Sequence, residues 1–172
     1  MDDSPRKGPW RALATILLVA GLLRLSVSLV PRVTVDEAFT YSLRRTPVDR
    51  VRAYLQNARH PPLAYLAMTA WERVVPGPDE GLLRLPFAAT ATAGVWLVFL
   101  VRRRIAGDDR TALVAAGLYG ASFLAWEYDT WWRGHALLTP LALLSTWLYL
   151  RCRDEGRPGD AVLYALSCAA LP

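Results

Sequence analysis

The chain has 172 residues, of which 53% are hydrophobic and 20% charged, with a formal net charge of +5; its mean hydropathy is +0.21. The apolar residues gather in long runs separated by arginine-rich breaks, the pattern of a membrane protein and not of a soluble domain. The positive charge falls at run ends and in loops, which argues against nucleic acid as a partner, and the two cysteines, Cys152 and Cys168, supply neither a disulfide framework nor a zinc set.

Residues 1–11 form a basic tail with Arg6, Lys7 and Arg11, and residues 12–30 a first span ended by Pro31. A secretory signal starts in the same way, but this apolar stretch exceeds a usual signal core and residues 27–31 offer no small-x-small cleavage site. A retained span is therefore expected, with the amino terminus in the cytoplasm. Arg24 lies inside it. A charge at span depth costs about 3 kcal/mol on insertion scales, so a partner within the bundle is expected.

Residues 32–84 then form an outer loop. Residues 36–55 have helical periodicity, with Ala38, Tyr41, Leu43, Val48, Val51, Tyr54 and Leu55 on one side, and Thr46-Pro47 divides them into two short helices lying along the interface. After Pro61-Pro62, residues 63–75 are apolar but shorter than the roughly 20 residues a span needs. They are placed at the interface, with Trp71 as an anchor and a tilted span as the alternative. Pro76-Gly77-Pro78 makes a turn, and Arg84 reads as a further interfacial anchor.

Residues 85–101 are the second span, closed by Arg102, Arg103 and Arg104 on the cytoplasmic side. Residues 111–126 are the third, rich in the small residues that permit close helix packing. Residues 127–135, EYDTWWRGH, form a short outer loop with Trp131 and Trp132 at headgroup depth and Asp129 placed to pair with Arg133. Residues 136–150 are the fourth span, with Arg151, Arg153 and Arg157 at its inner end. The fifth apolar segment, 160–172, is shorter than a span, so the chain is expected to be the amino-terminal part of a longer protein or a truncated product.

The chemistry gathers in the outer segments. Asp36 and Glu37 are adjacent carboxylates just past the first span, followed by Arg59 and His60, and Arg133 and His135 stand in the second outer loop. A carboxylate can take a proton from a hydroxyl, and arginine or histidine can hold a phosphate, so the outer face is suited to group transfer from a lipid phosphate. The plainer readings are that Asp36 and Glu37 cap the following helix and that His60 solvates its loop. No P-loop, GxGxxG or nucleophile elbow is present.

The order of these features resembles the polyprenyl-phosphate-dependent GT-C glycosyltransferases, the membrane superfamily that includes protein O-mannosyltransferases and the aminoarabinose transferases of lipid A. Four elements match in order: a first span followed by Asp36-Glu37, then HPPL at 60–63, RLP at 84–86, and a tryptophan and arginine loop opening an ALL-type span at 133–138. Members are generally longer, with more spans and often a carboxy-terminal outer domain. The resemblance implies an all-α multispanning membrane helix bundle of GT-C type with interfacial helices in the first outer loop, residues 1–172 being the amino-terminal part of its transmembrane domain.

It further implies inverting transfer of a sugar from a polyprenyl phosphate to a lipid, glycan or protein hydroxyl at the extracytoplasmic face. Asp36 would act as general base and Glu37 would orient it or help bind the acceptor. Arg59, His60, Arg133 and His135 would hold the donor phosphate, with arginine supplying the permanent charge. No cofactor is required by the sequence, and a divalent cation at Asp36 and Glu37 stays open. The expected location is the plasma membrane. The alternatives are a non-catalytic membrane subunit, an inactive glycosyltransferase fragment and, less well supported, a transporter fragment, since the most polar residues lie in loops.

Overall fold

A computed structural model describes residues 8–30, 62–75, 80–130 and 135–171, with the backbone alone for 62–66, 80 and 135. The described residues form seven helices and no strand: α1 (Trp10–Leu29), α2 (Pro62–Val74), α3 (Glu80–Ala106), α4 (Asp109–Ala121), α5 (Phe123–Asp129), α6 (His135–Glu155) and α7 (Pro158–Ala169). Trp10–Leu29 and Gly81–Ala106 are long and apolar enough to cross a membrane. The protein is thus an all-helical membrane bundle. The interfacial helices expected over residues 36–55 lie outside the described residues, and α2 at 13 residues reaches about 20 Å, short of the roughly 30 Å hydrocarbon core.

The helix ends follow from local sequence. Asp108 caps α4, its carboxylate accepting from the Thr111 N–H at 2.8 Å and the Thr111 hydroxyl at 2.6 Å. Gly107 and Gly156 end α3 and α6 at φ 72° and 63°, each N–H bonded 2.9 Å to a carbonyl four residues back. Both occupy the left-handed position at which glycine is favoured.

Two features differ from the sequence expectation. The segment 111–126 is not one helix: Ser122 is extended, and its hydroxyl accepts from the Ala125 N–H, ending α4 and starting α5. Serine favours such a cap over a helix interior. Trp71, expected as an interfacial anchor, has in addition a bonding role that joins α2 to α3. Pro86 continues α3 but has no N–H for the carbonyl of Leu82, and the Trp71 indole N–H donates to that carbonyl at 3.0 Å.

One core unites α1, α3 and α4 through Leu13, Ala20, Val95, Phe99, Ala112 and Ala116. A second unites α2, α3 and α6 through Met68, Leu83, Phe87 and Ala136. α7 packs on α6, where the Ser145 hydroxyl donates to that of Ser167 at 2.8 Å. Along α1, Leu13, Ala20, Arg24 and Ser28 face inward, while Leu18, Val19, Leu22 and Leu29 are exposed. An apolar exterior of this kind suits lipid and not water. α4 comes close to α1 and α3 at Gly120, where a Cβ would lie 3.3 Å from that of Ala20 and 3.5 Å from Val95 Cγ1.

The two ends of the bundle differ. At one, Trp10 meets Phe99 edge-on, Arg103 stands over both rings and pairs with Asp109 at 2.7 Å. There too Arg104 holds Asp154 and Glu155, each at 2.8 Å, and Arg151 holds Asp160 at 3.1 Å. Hydrogen bonds from Arg153 and Arg104 keep Asp154 below the ordinary carboxylate range, and one from Arg104 does the same for Glu155. These ties therefore stay charged at neutral pH and weaken only as pH falls through that lowered range. At the other end, α1 closes at Leu29, α3 begins, α5 ends and α6 starts.

Gly120→Val is expected to cost about 1–3 kcal/mol by forcing α4 off α1, measured as a lower unfolding midpoint in detergent. Trp71→Phe, which keeps the ring but removes the donor to Leu82, should cost about 1 kcal/mol and speed proteolytic release of α2 while α1 and α4 keep their protection.

Candidate functional site

Arg24 is the largest fully buried side chain among the described residues, at 0% exposure. Its Nη1 donates to the carbonyls of Ala20 on its own helix and Gly120 on α4, each at 3.3 Å. The Gly120 carbonyl is free for this because α4 stops at Ala121, leaving the last carbonyls of the helix without an i+4 partner. Nη2 lies 3.6 Å from Asp129 Oδ2, and the guanidinium carbon sits 5.8 Å from the centre of the Tyr119 ring. The Tyr119 hydroxyl donates to the same carboxylate oxygen at 2.8 Å. Thr130, 2% exposed, closes α5 by donating to the carbonyls of Trp126 and Glu127 at 2.8 and 3.2 Å.

The partner expected for Arg24 is therefore Asp129, which the sequence placed with Arg133. Removing one member of a buried pair leaves a desolvated charge and costs about 3–5 kcal/mol, whereas the intact pair adds little net stability unless its geometry is very good. Here Nε and Nη2 of Arg24 find no hydrogen-bond partner among the described residues. The effect of the pair is consequently positional. It holds α1, α4 and α5 in one register because any other leaves the charge alone.

Arg84, expected as an interfacial anchor, is 4% exposed and donates from Nη1 to the carbonyl of Val30 at 3.0 Å. A cation at the carboxyl end of a helix is favoured by the unsatisfied carbonyls there. Val30 lies about 9 Å along the helix axis from Arg24, so Arg84 and Asp129 grip the same end of α1. From that end the chain runs after Val30 into residues 31–61 and after Thr130 into residues 131–134.

Those two excursions carry the residues singled out from the sequence. Asp36, Glu37, Arg59, His60 and Arg133 lie outside the described residues, and His135 is the first residue of α6, with its side chain outside them. Among the described residues no group of histidine, cysteine, aspartate and glutamate could hold a metal ion. What the structure adds is the support beneath them: Arg24, Tyr119, Asp129 and Arg84. Tyr119 carries no sequence signal of its own, being one aromatic in an apolar run. A charge-depth match between Arg24 and the few carboxylates near the outer ends of the helices would have placed Asp129 on a short list.

A family model described as dolichyl-phosphate-mannose-protein mannosyltransferase matches residues 59–171, well over half of the chain. The match spans Arg59, His60, Arg133 and His135 as well as Arg84, Tyr119 and Asp129, and starts after Arg24, Asp36 and Glu37. No curated protein and no solved structure matches the chain.

Asp129→Ala is expected to lower stability by about 3 kcal/mol or more. Tyr119→Phe should cost about 1.5–3 kcal/mol, as for a hydrogen bond to a charged group. Combining them should cost less than the sum, since both remove the same contact; equilibrium unfolding of the three variants in one detergent measures it.

Proposed function

The chain belongs to the dolichyl-phosphate-mannose-protein mannosyltransferase family, and on that premise we propose that it transfers a sugar from a polyprenyl phosphate to an acceptor hydroxyl at the extracytoplasmic face of the plasma membrane. The family match is the observation that carries this reading. It is supported by the fold, in which the segments bearing Asp36 and Arg133 both leave from the end of the bundle gripped by Arg24 and Arg84.

In this reading Asp36 takes the proton from the acceptor hydroxyl as its oxygen attacks the anomeric carbon, with Glu37 orienting it. The bond from that carbon to the phosphate oxygen breaks on the opposite side, so the configuration inverts. The leaving phosphate gains negative charge as the bond breaks. Cations already in place therefore stabilise the transition state more than the ground state, the role assigned to Arg59, His60, Arg133 and His135. A mannosyl donor agrees with the family's description, and a pentosyl donor is the second candidate. The orientation, with the amino terminus in the cytoplasm, is supported by the arginines at the Trp10 end of the bundle.

The test is transfer of labelled sugar from polyprenyl phosphate in membranes containing the full chain. Asp36→Asn should lower turnover by about a hundredfold or more at unchanged expression, and Arg133→Ala should lower kcat/KM by about a hundredfold. A wild-type chain that inserts stably yet transfers neither hexose nor pentose contradicts the proposal and favours a non-catalytic subunit.

A further inference from the structure

Along the outer face of α4, beside Arg102 of α3, runs a shallow open groove of about 530 Å³ lined by Arg102, Arg110, Thr111, Val114, Ala115 and Leu118, its charged half at the end of the bundle away from Asp129. Its halves differ in chemistry. Arg110, Val114 and Leu118 succeed one another at i+4 along one face of α4, so the groove runs from charge to hydrocarbon. Val114 is 56% and Leu118 71% exposed, as side chains facing lipid would be.

The charged half is set apart by what its neighbours do. Arg103, Arg104, Arg151, Arg153 and Arg157 are each held by a carboxylate. Arg102 and Arg110 form no ion pair among the described residues. Asp108, which caps α4, is engaged by the N–H and hydroxyl of Thr111 and stands within electrostatic reach of Arg102 without forming an ion pair with it. Two guanidinium groups are thus left facing the mouth of a groove whose remaining wall is apolar.

We infer that this groove binds one anionic glycerophospholipid, its phosphate held between Arg102 and Arg110 and an acyl chain lying along Val114, Ala115 and Leu118. Guanidinium matches phosphate in charge and geometry, and the apolar wall gives the same molecule a place for its tail. A free phosphate or nucleotide would use only the first of these. The site is separate from the proposed transfer chemistry, which lies at the opposite end, and stands whether or not the chain transfers sugar.

The test uses the full chain in nanodiscs of phosphatidylglycerol and phosphatidylcholine, released into detergent and weighed intact. The wild-type chain should retain one phosphatidylglycerol, preferred over phosphatidylcholine by roughly tenfold or more, since each arginine near an anionic surface strengthens binding about fivefold. The double variant Arg102→Gln, Arg110→Gln should lose the preference, and the double lysine variant should keep part of it. Arg157→Gln, at the same end but outside the groove, should leave it unchanged. A loss in Arg157→Gln as large as in the double variant shows general surface attraction and overturns the proposal, as does equal retention of the two lipids. Displacement of the lipid by millimolar inorganic phosphate also overturns it, in favour of a free-phosphate site.

Discussion

A guanidinium cannot be left alone inside an apolar bundle, and the architecture of this chain is arranged around that constraint at Arg24. The cation is met by two carbonyls, both through Nη1, and by one carboxylate at ion-pair distance, drawn from α1, α4 and α5. Each donor of a partner depends on a separate local feature. Gly120 offers its carbonyl because α4 ends at the Ser122 break, and it lies close to α1 because it has no side chain. Asp129 reaches the cation because α5 follows that break. The small net energy of such a pair matters less than the number of alternative packings it makes unfavourable.

From that constraint the bundle acquires two unlike ends. At the Arg24 end, buried charges grip the chain where it leaves toward Asp36 and toward Arg133. At the other end, a mesh of ion pairs ties α3 to α6 and α6 to α7 and leaves Arg102 and Arg110 beside an open groove with an apolar wall. In the proposed reaction the donor is a lipid whose phosphate sits at one interface, so the groups that act on it would have to be held at one level by a scaffold that does not slide.

Much of this was legible in the sequence, for physical reasons. Long apolar runs bounded by arginines read as membrane helices, and two of the described helices are long and apolar enough to span; the motifs at Asp36-Glu37, HPPL and RLP carried the family resemblance, which the match over residues 59–171 upholds. The Ser122 break was hidden because a serine inside an apolar run is also tolerated in a span. The pairing of Asp129 with Arg24 was hidden because the two are remote in sequence, while local spacing drew attention to Arg133, which lies outside the described residues. Trp71 read as an interfacial anchor because nothing local shows that Pro86, fifteen residues later, frees a carbonyl for it. The candidate catalytic carboxylates themselves lie outside the described residues, so their roles rest on the motif and on the proposed chemistry.

In this arrangement the segments bearing Asp36 and Arg133 should emerge on one side of the membrane and the Gly107 and Gly156 turns on the other. Labelling with a membrane-impermeant thiol reagent tests it most directly. Single cysteines replace Ser42, Trp131, Gly107 or Gly156 in a chain whose Cys152 and Cys168 are serine, in sealed cells. Labelling at 42 and 131 from outside, with 107 and 156 reached only after lysis, is the predicted result. Opposite accessibility of 42 and 131 would contradict the account.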